Sequence, residues 1–284
     1  MFDAGAWLAR CFPLAVIRAF ASCAGWLYAL THPQRVAVVR RNLQLLDASL
    51  DRKSARRVYR EFGKTLADYF YIGTRPAAQA VRIIAKSDGL DHFRKAHESG
   101  KGALVVTAHF GLFELGGLML AQMGIPCAVL TYPEPSDALT QWRTRFRRDW
   151  NVDTIEVGTD NFAFLQISER LQRGYFVAML IDRPHPSDIT PVKLPNGLAH
   201  FSAGIFLLAA HSGVPVIPAT MSRSPGGSYH SRIFPPIFIK DQGSRAETLR
   251  FYSQQITDTL LPVLCAQPEQ WYQFVPLGPL SQES

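Results

Sequence analysis

Residues 103–132 read ALVVTAHFGLFELGGLMLAQMGIPCAVLTY, and this stretch decides the class of fold. Two short apolar runs, 103–108 and 126–132, flank a segment over 111–124 whose composition favours a helix. Continuous apolar runs are typical of strands that helices cover on both faces. The stretch therefore predicts a β-α-β unit of a layered α/β domain.

The same alternation continues on both sides of this unit. The proline-rich segment 183–200 predicts a long loop or hairpin, and YHSRIF and PIFIK (229–234 and 236–240) are expected to pair antiparallel at one edge. The whole predicts an α/β layered domain with a central, largely parallel (mixed) sheet flanked by helices. Further strands are expected at 81–86, 154–158, 175–182 and 214–223, and further helices at 88–100, 138–150, 161–173, 202–212 and 245–266.

Positive charge is concentrated at the N-terminus. Residues 1–75 contain 12 Lys/Arg and 5 Asp/Glu, whereas residues 76–284 contain 18 of each sign. We expect two regions: an N-terminal membrane-associating helical region over 1–75, both hydrophobic and basic, and the α/β domain over 76–284. Such asymmetry indicates an anionic partner, either a membrane surface or nucleic acid.

The segment 11–30, CFPLAVIRAFASCAGWLYAL, is long enough to cross a bilayer, but Arg18 at its centre costs about 2.5–3.5 kcal/mol there. A helix lying in the membrane interface fits better, with Arg10 and Arg18 at the headgroups. The alternative is an ordinary helix packed on the protein's own core. Basic helices follow at 35–46 and 54–72 without a DNA-reading motif, so a membrane is favoured over nucleic acid. Aromatic side chains that suit an interfacial helix are Trp7, Phe12, Phe20, Trp26 and Tyr28.

His109 follows the predicted strand 103–108 directly, and Glu114 lies five residues further on. Active sites of α/β sheets gather at the carboxyl ends of strands, and a neutral imidazole accepts a hydroxyl proton near neutral pH. A carboxylate that holds the other ring nitrogen fixes the tautomer, so Glu114 is a candidate for that role. By spacing alone, a capping histidine and a surface glutamate remain the alternative.

Several classes of enzyme lack their motif here. There is no G-x-S-x-G elbow, H-E-x-x-H pair, P-loop or G-x-G-x-x-G. Four widely spaced cysteines, without C-x-x-C, suit a reducing compartment. An α/β lipid hydrolase and a non-catalytic protein that binds membranes or anionic lipids remain as alternatives to a transferase.

The segment 100–120, GKGALVVTAHFGLFELGGLML, closely resembles the motif-bearing segment of the late lipid A acyltransferases. These are lauroyl and myristoyl transferases within the wider lysophospholipid acyltransferase group. The resemblance covers roughly residues 35–275. It also includes RRNLQLL near residue 40, TYPEPSDALTQWRTRFRR, YFVAMLIDRP and AHFSAGIFLLAAHSGVPVIPATM.

This resemblance implies O-acyl transfer from an acyl carrier protein or CoA thioester to a hydroxyl of a membrane lipid. It implies that His109 is the general base, that Glu114 orients it, and that Arg148 and Asp182 bind or position substrate. Neither an acyl-enzyme nor a metal or redox cofactor is implied. A family member would lie at the cytoplasmic face of the bacterial inner membrane, peripherally or through a single N-terminal anchor.

The sequence departs from the family pattern in two places. Arg183 follows Asp182 where the family usually has glutamine, and the chain reads Trp271-Tyr-Gln-Phe-Val-Pro276 where a Trp-x-x-His-Arg-Arg segment is typical. The second departure removes basic residues whose charge could meet a phosphorylated sugar acceptor, so the acceptor lipid stays open. The sequence does not decide the donor carrier or the acyl chain length. Candidates for setting the depth of an acyl groove are Trp142, Phe146, Phe162, Phe164 and Met179.

Overall fold

The computed structural model describes residues 2–132, 137–157, 162–185 and 188–278. The described residues form an α/β structure with helices on both faces of one sheet, preceded by an apolar helical region. The helices are α1 Phe2–Cys11, α2 Leu14–Thr31, α3 Pro33–Leu46, α4 Arg52–Gly73, α5 Ala77–Ala80, α6 Leu90–Glu98, α7 Glu114–Gln122, α8 Asp137–Arg148, α9 Phe162–Gln172, α10 Ile205–Ser212 and α11 Arg245–Ala266. The strands are β1 Ile84–Asp88, β2 Ala103–Thr107, β3 Cys127–Thr131, β4 Val152–Glu156, β5 Phe176–Leu180, β6 Thr190–Leu194, β7 Gly197–Phe201, β8 Val216–Arg223 and β9 Tyr229–Ile233.

The main sheet of the described chain has seven strands in the order β1-β9-β8-β2-β5-β3-β4. Every neighbouring pair is parallel except β8 and β9, which confirms the largely parallel, mixed sheet. The predicted hairpin also exists, as the antiparallel pair β6 and β7. The expected edge pair was wrong: 229–233 pairs with β8 and β1, and Ile237 makes only an isolated bridge to Val216.

The alternation of side chains along each strand divides the core between the two faces of the sheet. Leu104 and Val106 of β2 pack with α9, α10 and α11, whereas Ala103 and Val105 pack with α6, α7 and α8. Both faces are buried because helices cover both, as the continuous apolar runs predicted.

The first four helices form a layer in which α2 lies antiparallel against α4. A Cβ atom on Gly25 would lie 2.2 Å from the carbonyl oxygen of Tyr59, and one on Gly63 would lie 2.1 Å from that of Ala21. Glycine at both positions therefore lets the two backbones touch. The segment expected to be one helix over 11–30 is interrupted near Pro13, where α1 ends and α2 begins.

Candidate active site

Two neighbouring parallel strands place His109 and Asp182 together. Thr107, the last residue of β2, is paired with Leu180, the last residue of β5. Since each polar residue lies two positions beyond its strand, both emerge at the same height at the carboxyl edge of the sheet. Nδ1 of His109 lies 2.7 Å from Oδ1 of Asp182.

Asp182 is fully buried and accepts hydrogen bonds on both of its oxygens. The backbone N–H of His109 donates to Oδ2 at 2.9 Å and to Oδ1 at 3.1 Å, and the indole N–H of Trp271 donates to Oδ2 at 2.8 Å. Burial alone would raise the pKa of Asp182, but His109, Arg183 and the Trp271 bond lower it to about 2. The carboxylate is therefore ionised at neutral pH.

The ionised carboxylate fixes the state of the imidazole. Because Asp182 can only accept, Nδ1 of His109 must carry the proton, and Nε2 is left with a lone pair. Burial lowers the pKa of His109 below its ordinary value of 6.5, Asp182 opposes that shift, and Arg183 and Arg143 add to it. A neutral imidazole with a basic Nε2 is the state that a general base requires.

Glu114 does not hold this imidazole, contrary to the sequence expectation. The bidentate partner of its carboxylate is Arg147, which donates from Nη2 to Oε1 at 2.7 Å and from Nε to Oε2 at 3.1 Å; Nη2 of Arg143 adds a bond to Oε1 at 2.5 Å. Burial would raise the pKa of Glu114, but Arg147 and Arg143 lower it to about 2. Glu114, the first residue of α7, is therefore bonded to arginines of α8, whereas the ring of His109 is bonded to Asp182, two residues beyond β5.

Arg148, the residue of α8 that was expected to bind or position substrate, differs from its neighbour Arg147 in exposure. It is the last residue of α8 and its side chain is exposed, whereas Arg147 beside it is buried. Successive residues of a helix differ by about 100° around its axis, so only positions 143 and 147, four apart, share the face toward Glu114. Sequence reasoning did not single out Arg147, although the spacing of the two arginines was a usable signal, and the role expected of Arg148 stays a prediction.

The C-terminal segment, residues 270–277, completes the site, and sequence reasoning did not assign it a role. Besides the Trp271 bond, the backbone N–H of Tyr272 donates to the carbonyl of His109 at 2.7 Å, and Nε2 of Gln273 donates to the carbonyl of Asp182 at 2.9 Å. The two departures from the family pattern meet here, because Arg183 donates to the carbonyl of Tyr272 and to Oε1 of Gln273.

An apolar cavity lies between α7 and the sheet, separated from His109 by the side chain of Phe113. Phe113 lines it and packs edge-on against the His109 ring, with 5.6 Å between the ring centroids. Its enclosed volume is about 60 Å³, which makes it a narrow slot. Other side chains around it include those of Phe93, Val105, Met119, Leu120, Val129, Met179 and Met221.

The residues that were candidates for setting the depth of an acyl groove lie in different surroundings. Met179 lines the cavity, Phe146 is buried against Tyr69 and Trp150, and Phe164 is exposed. The side chains of Trp142 and Phe162 lie outside the described part of the structure.

The N-terminal helices present an apolar surface, but Arg18 is not on it. Nε of Arg18 lies 2.5 Å from Oδ1 of the fully buried Asp68 on α4, and Nη2 donates to the carbonyl of Gly227 at 2.6 Å. The expectation that Arg18 meets headgroups was therefore wrong, because the side chain is used to hold α2 on the body. The five aromatic side chains expected at the interface are all exposed, Phe20 most of all at 74%.

Within the described residues, Leu14–Thr31 is one helix long and apolar enough to cross a membrane by length and composition. Only 11% of it is buried inside the protein, unlike the core helix of a soluble domain.

Comparison with known proteins gives matches to acyltransferases. The model of the family described as bacterial lipid A biosynthesis acyltransferase matches residues 2–277. A phosphatidylinositol mannoside acyltransferase of Mycobacterium tuberculosis (strain ATCC 25618 / H37Rv) is 22% identical over 201 residues. That match covers 70% of this chain and 61% of the mycobacterial protein.

Proposed function

Because the chain belongs to the bacterial lipid A biosynthesis acyltransferase family and is an acyltransferase, we propose that it moves a fatty acyl group from a thioester to a hydroxyl of a membrane lipid. The donor is the thioester of an acyl carrier protein or of CoA. The observation that carries the proposal is the pair of His109 and Asp182, which leaves a basic ring nitrogen; an apolar slot lies on the other side of Phe113.

In the proposed reaction, Nε2 of His109 takes the proton of the acceptor hydroxyl as its oxygen attacks the thioester carbonyl. Asp182 stabilises the imidazolium that forms, since its carboxylate accepts the Nδ1 proton throughout. The tetrahedral intermediate then expels the thiolate, which takes the proton from Nε2. The products are the new ester and a free thiol, and His109 is again neutral.

This route needs neither an acyl-enzyme nor a metal or redox cofactor, because the thioester already carries an activated acyl group. Cys127 is unsuited to be a nucleophile, since it is fully buried and burial raises its pKa to about 12. We therefore assign no covalent step to it.

We propose that Glu114 and Arg147 support the site from α7 and α8. Glu114 lines the slot, and its ion pair with Arg147 and Arg143 joins the two helices across the wall that the acyl chain would touch. Arg143 keeps a partly exposed guanidinium, which suits an anionic group of a substrate. Arg148 is not proposed for this role, because it faces solvent.

We also propose that α1 and α2 lie on an anionic membrane rather than cross it. Gly25 and Arg18 bind α2 lengthwise to α4, whose exposed residues include Arg57 and Arg60. A helix fixed to such a partner cannot enter the hydrocarbon alone, whereas its exposed aromatic face suits the interface. The site of action we propose is the cytoplasmic face of the bacterial inner membrane.

The test is an acylation assay on the full-length protein with lipid vesicles and a radiolabelled acyl thioester, supplied once on carrier protein and once on CoA. We expect labelled lipid and free thiol in equal amounts. His109→Ala should lower turnover by about 10²–10⁴-fold, the contribution of a positioned base. His211→Ala is the matched control, because that histidine is exposed on α10.

Each alternative gives a different product. A lipid hydrolase releases labelled fatty acid instead of labelled lipid, and a binding protein consumes no thioester. A folded His109→Ala protein with wild-type turnover would end the proposal. If a folded Cys127→Ala protein lost activity, or if the acyl label stayed bound to the Cys127 thiol, the direct transfer would have to be replaced by a covalent route.

A further inference from the structure

A second cavity lies away from the catalytic residues, where α1, the end of α4 and the end of α8 meet. Its volume is about 300 Å³, many times the ~10–15 Å³ that one water molecule needs. Three charged side chains line it, Arg10, Arg75 and Asp149, together with Phe146 and Trp150.

The contacts that hold Arg75 in place are with neutral groups. Its Nη1 donates to Oγ1 of Thr74 at 2.7 Å and to the carbonyls of Tyr71 at 3.0 Å and Ala9 at 3.4 Å. Its guanidinium also stacks on the Tyr71 ring, 3.5 Å from the ring centroid. These contacts fix its position, and among the described residues no carboxylate pairs with its charge, which is the condition of a prepared anion site.

Arg10 and Asp149 are exposed and make no ion pair with the residues that the structure describes. Arg10, Arg75 and Asp149 line the same cavity. Even so, neither carboxylate oxygen of Asp149 lies within 4 Å of the guanidinium group of Arg10 or of Arg75. Opposite charges that share a cavity but stay apart are complementary to a ligand that carries both charges. Two cations and one carboxylate match a phosphate joined to an ammonium group.

The surroundings indicate that such a ligand comes from a membrane. Trp7 and Leu8, on the same short helix as Arg10, are exposed by 60% and 42%. Phe12 follows at the end of α1 and is also exposed. A headgroup in the cavity would therefore have apolar side chains beside it for the start of its acyl tails.

We propose that this cavity binds the headgroup of a phospholipid with a primary amine, of the phosphoethanolamine type. The phosphate lies between Arg10 and Arg75, and the ammonium donates hydrogen bonds to Asp149. A quaternary ammonium has no N–H to donate, so a phosphocholine headgroup would leave the carboxylate without a hydrogen bond. The proposal rests on the membrane association proposed above and adds a defined lipid to it.

The test measures binding of the full-length protein to vesicles with a fixed fraction of phosphatidylglycerol and a remainder of either phosphatidylethanolamine or phosphatidylcholine. We expect binding about five- to tenfold tighter with phosphatidylethanolamine. Asp149→Asn should remove this preference without weakening binding to the phosphatidylcholine vesicles. Arg10→Gln should weaken binding to both kinds of vesicle more than Arg145→Gln does, because Arg145 is exposed on α8 outside the cavity.

Equal binding of the wild-type protein to the two kinds of vesicle would overturn the proposal. A preference that persists in Asp149→Asn would also overturn it, because it would then come from the bilayer and not from the cavity. Saturable binding of soluble phosphoethanolamine without a vesicle preference would identify a free ligand instead. Failure to bind any phosphatidylglycerol vesicle would refute the membrane association and with it this proposal, whereas the acyl transfer itself is tested separately by the acylation assay.

Discussion

Asp182→Asn replaces one oxygen by an NH₂ group and is expected to reverse the tautomer of His109. The Oδ2 side of residue 182 faces two donors, the indole N–H of Trp271 and the backbone N–H of His109. The asparagine oxygen must remain on that side, because an NH₂ group there would meet only donors. The NH₂ group then faces Nδ1, which has to accept, and the proton moves to Nε2.

The magnitude follows from the loss of the base. With a proton on Nε2, the imidazole has no lone pair toward the acceptor hydroxyl. The same change in a serine protease triad lowers turnover by about 10⁴-fold, which is about 5 kcal/mol of transition-state stabilisation. We expect a loss of that size here, with the variant still folded because its hydrogen bonds to Trp271 and to the backbone are kept.

The assay is steady-state acyl transfer, together with ¹⁵N NMR of labelled histidine to identify the protonated ring nitrogen. Circular dichroism and the midpoint of thermal unfolding control for the fold. Glu114→Gln is the comparison, because Glu114 has no bond to His109 and its variant should retain the wild-type tautomer. A folded Asp182→Asn protein with turnover within tenfold of wild type, or with the proton still on Nδ1, would refute this reasoning.

Three further predictions concern stability and membrane binding. The folded pKa of Glu114, about 2, is below its ordinary value of 4.5, so its stabilisation is full above pH 4.5 and is lost as the pH falls toward 2. When the free energy of unfolding is measured as the pH is lowered, Glu114→Gln should lack about 3 kcal/mol of this loss, and a profile equal to that of the wild type would contradict the prediction. Gly25→Ala should lower the unfolding midpoint, because the added methyl meets a backbone carbonyl at 2.2 Å, whereas Gly116→Ala, with open space around its Cβ, should not; equal midpoints would show that α2 and α4 are not in contact. Phe20→Asp should weaken vesicle co-sedimentation more than Phe251→Asp, which changes an exposed phenylalanine on α11. Equal losses of binding would show that the α2 face does not contact the membrane.

The local elements were predictable because apolar periodicity is a local property. The helix expected at 245–266 forms at those residues, and the β-α-β unit around His109 has the expected order. Strand order, in contrast, depends on contacts between distant parts of the chain. The neighbours of β2 are β5 and β8 rather than β3, and this order brings Asp182 to His109.

The assignment of Glu114 shows the same limit. A carboxylate five residues from the histidine was the nearest candidate in the sequence, while the actual partner lies 73 positions away. Arg148 was named because the resemblance places it at the family's arginine. The pairing of Arg147 with Glu114 depends on the rotation of side chains about α8, which a resemblance does not resolve. The proposed boundary at residues 75 and 76 stays a prediction, and the C-terminal segment complicates it. Asn42 on α3 donates to the carbonyls of Gln273 and Val275 in that segment.

The position of the C-terminal segment bears on when the protein becomes active during its synthesis. The segment lies between the N-terminal helices and the catalytic strand ends, since the hydroxyls of Thr65 and Tyr272 are 2.7 Å apart while Tyr272 also binds the carbonyl of His109. A nascent chain that has emerged only as far as α11 has every strand of the sheet, but Asp182 still lacks its bond from Trp271. His109 would thus be fixed in its tautomer only once the C-terminal segment has been made, when the earliest helices have already had time to fold.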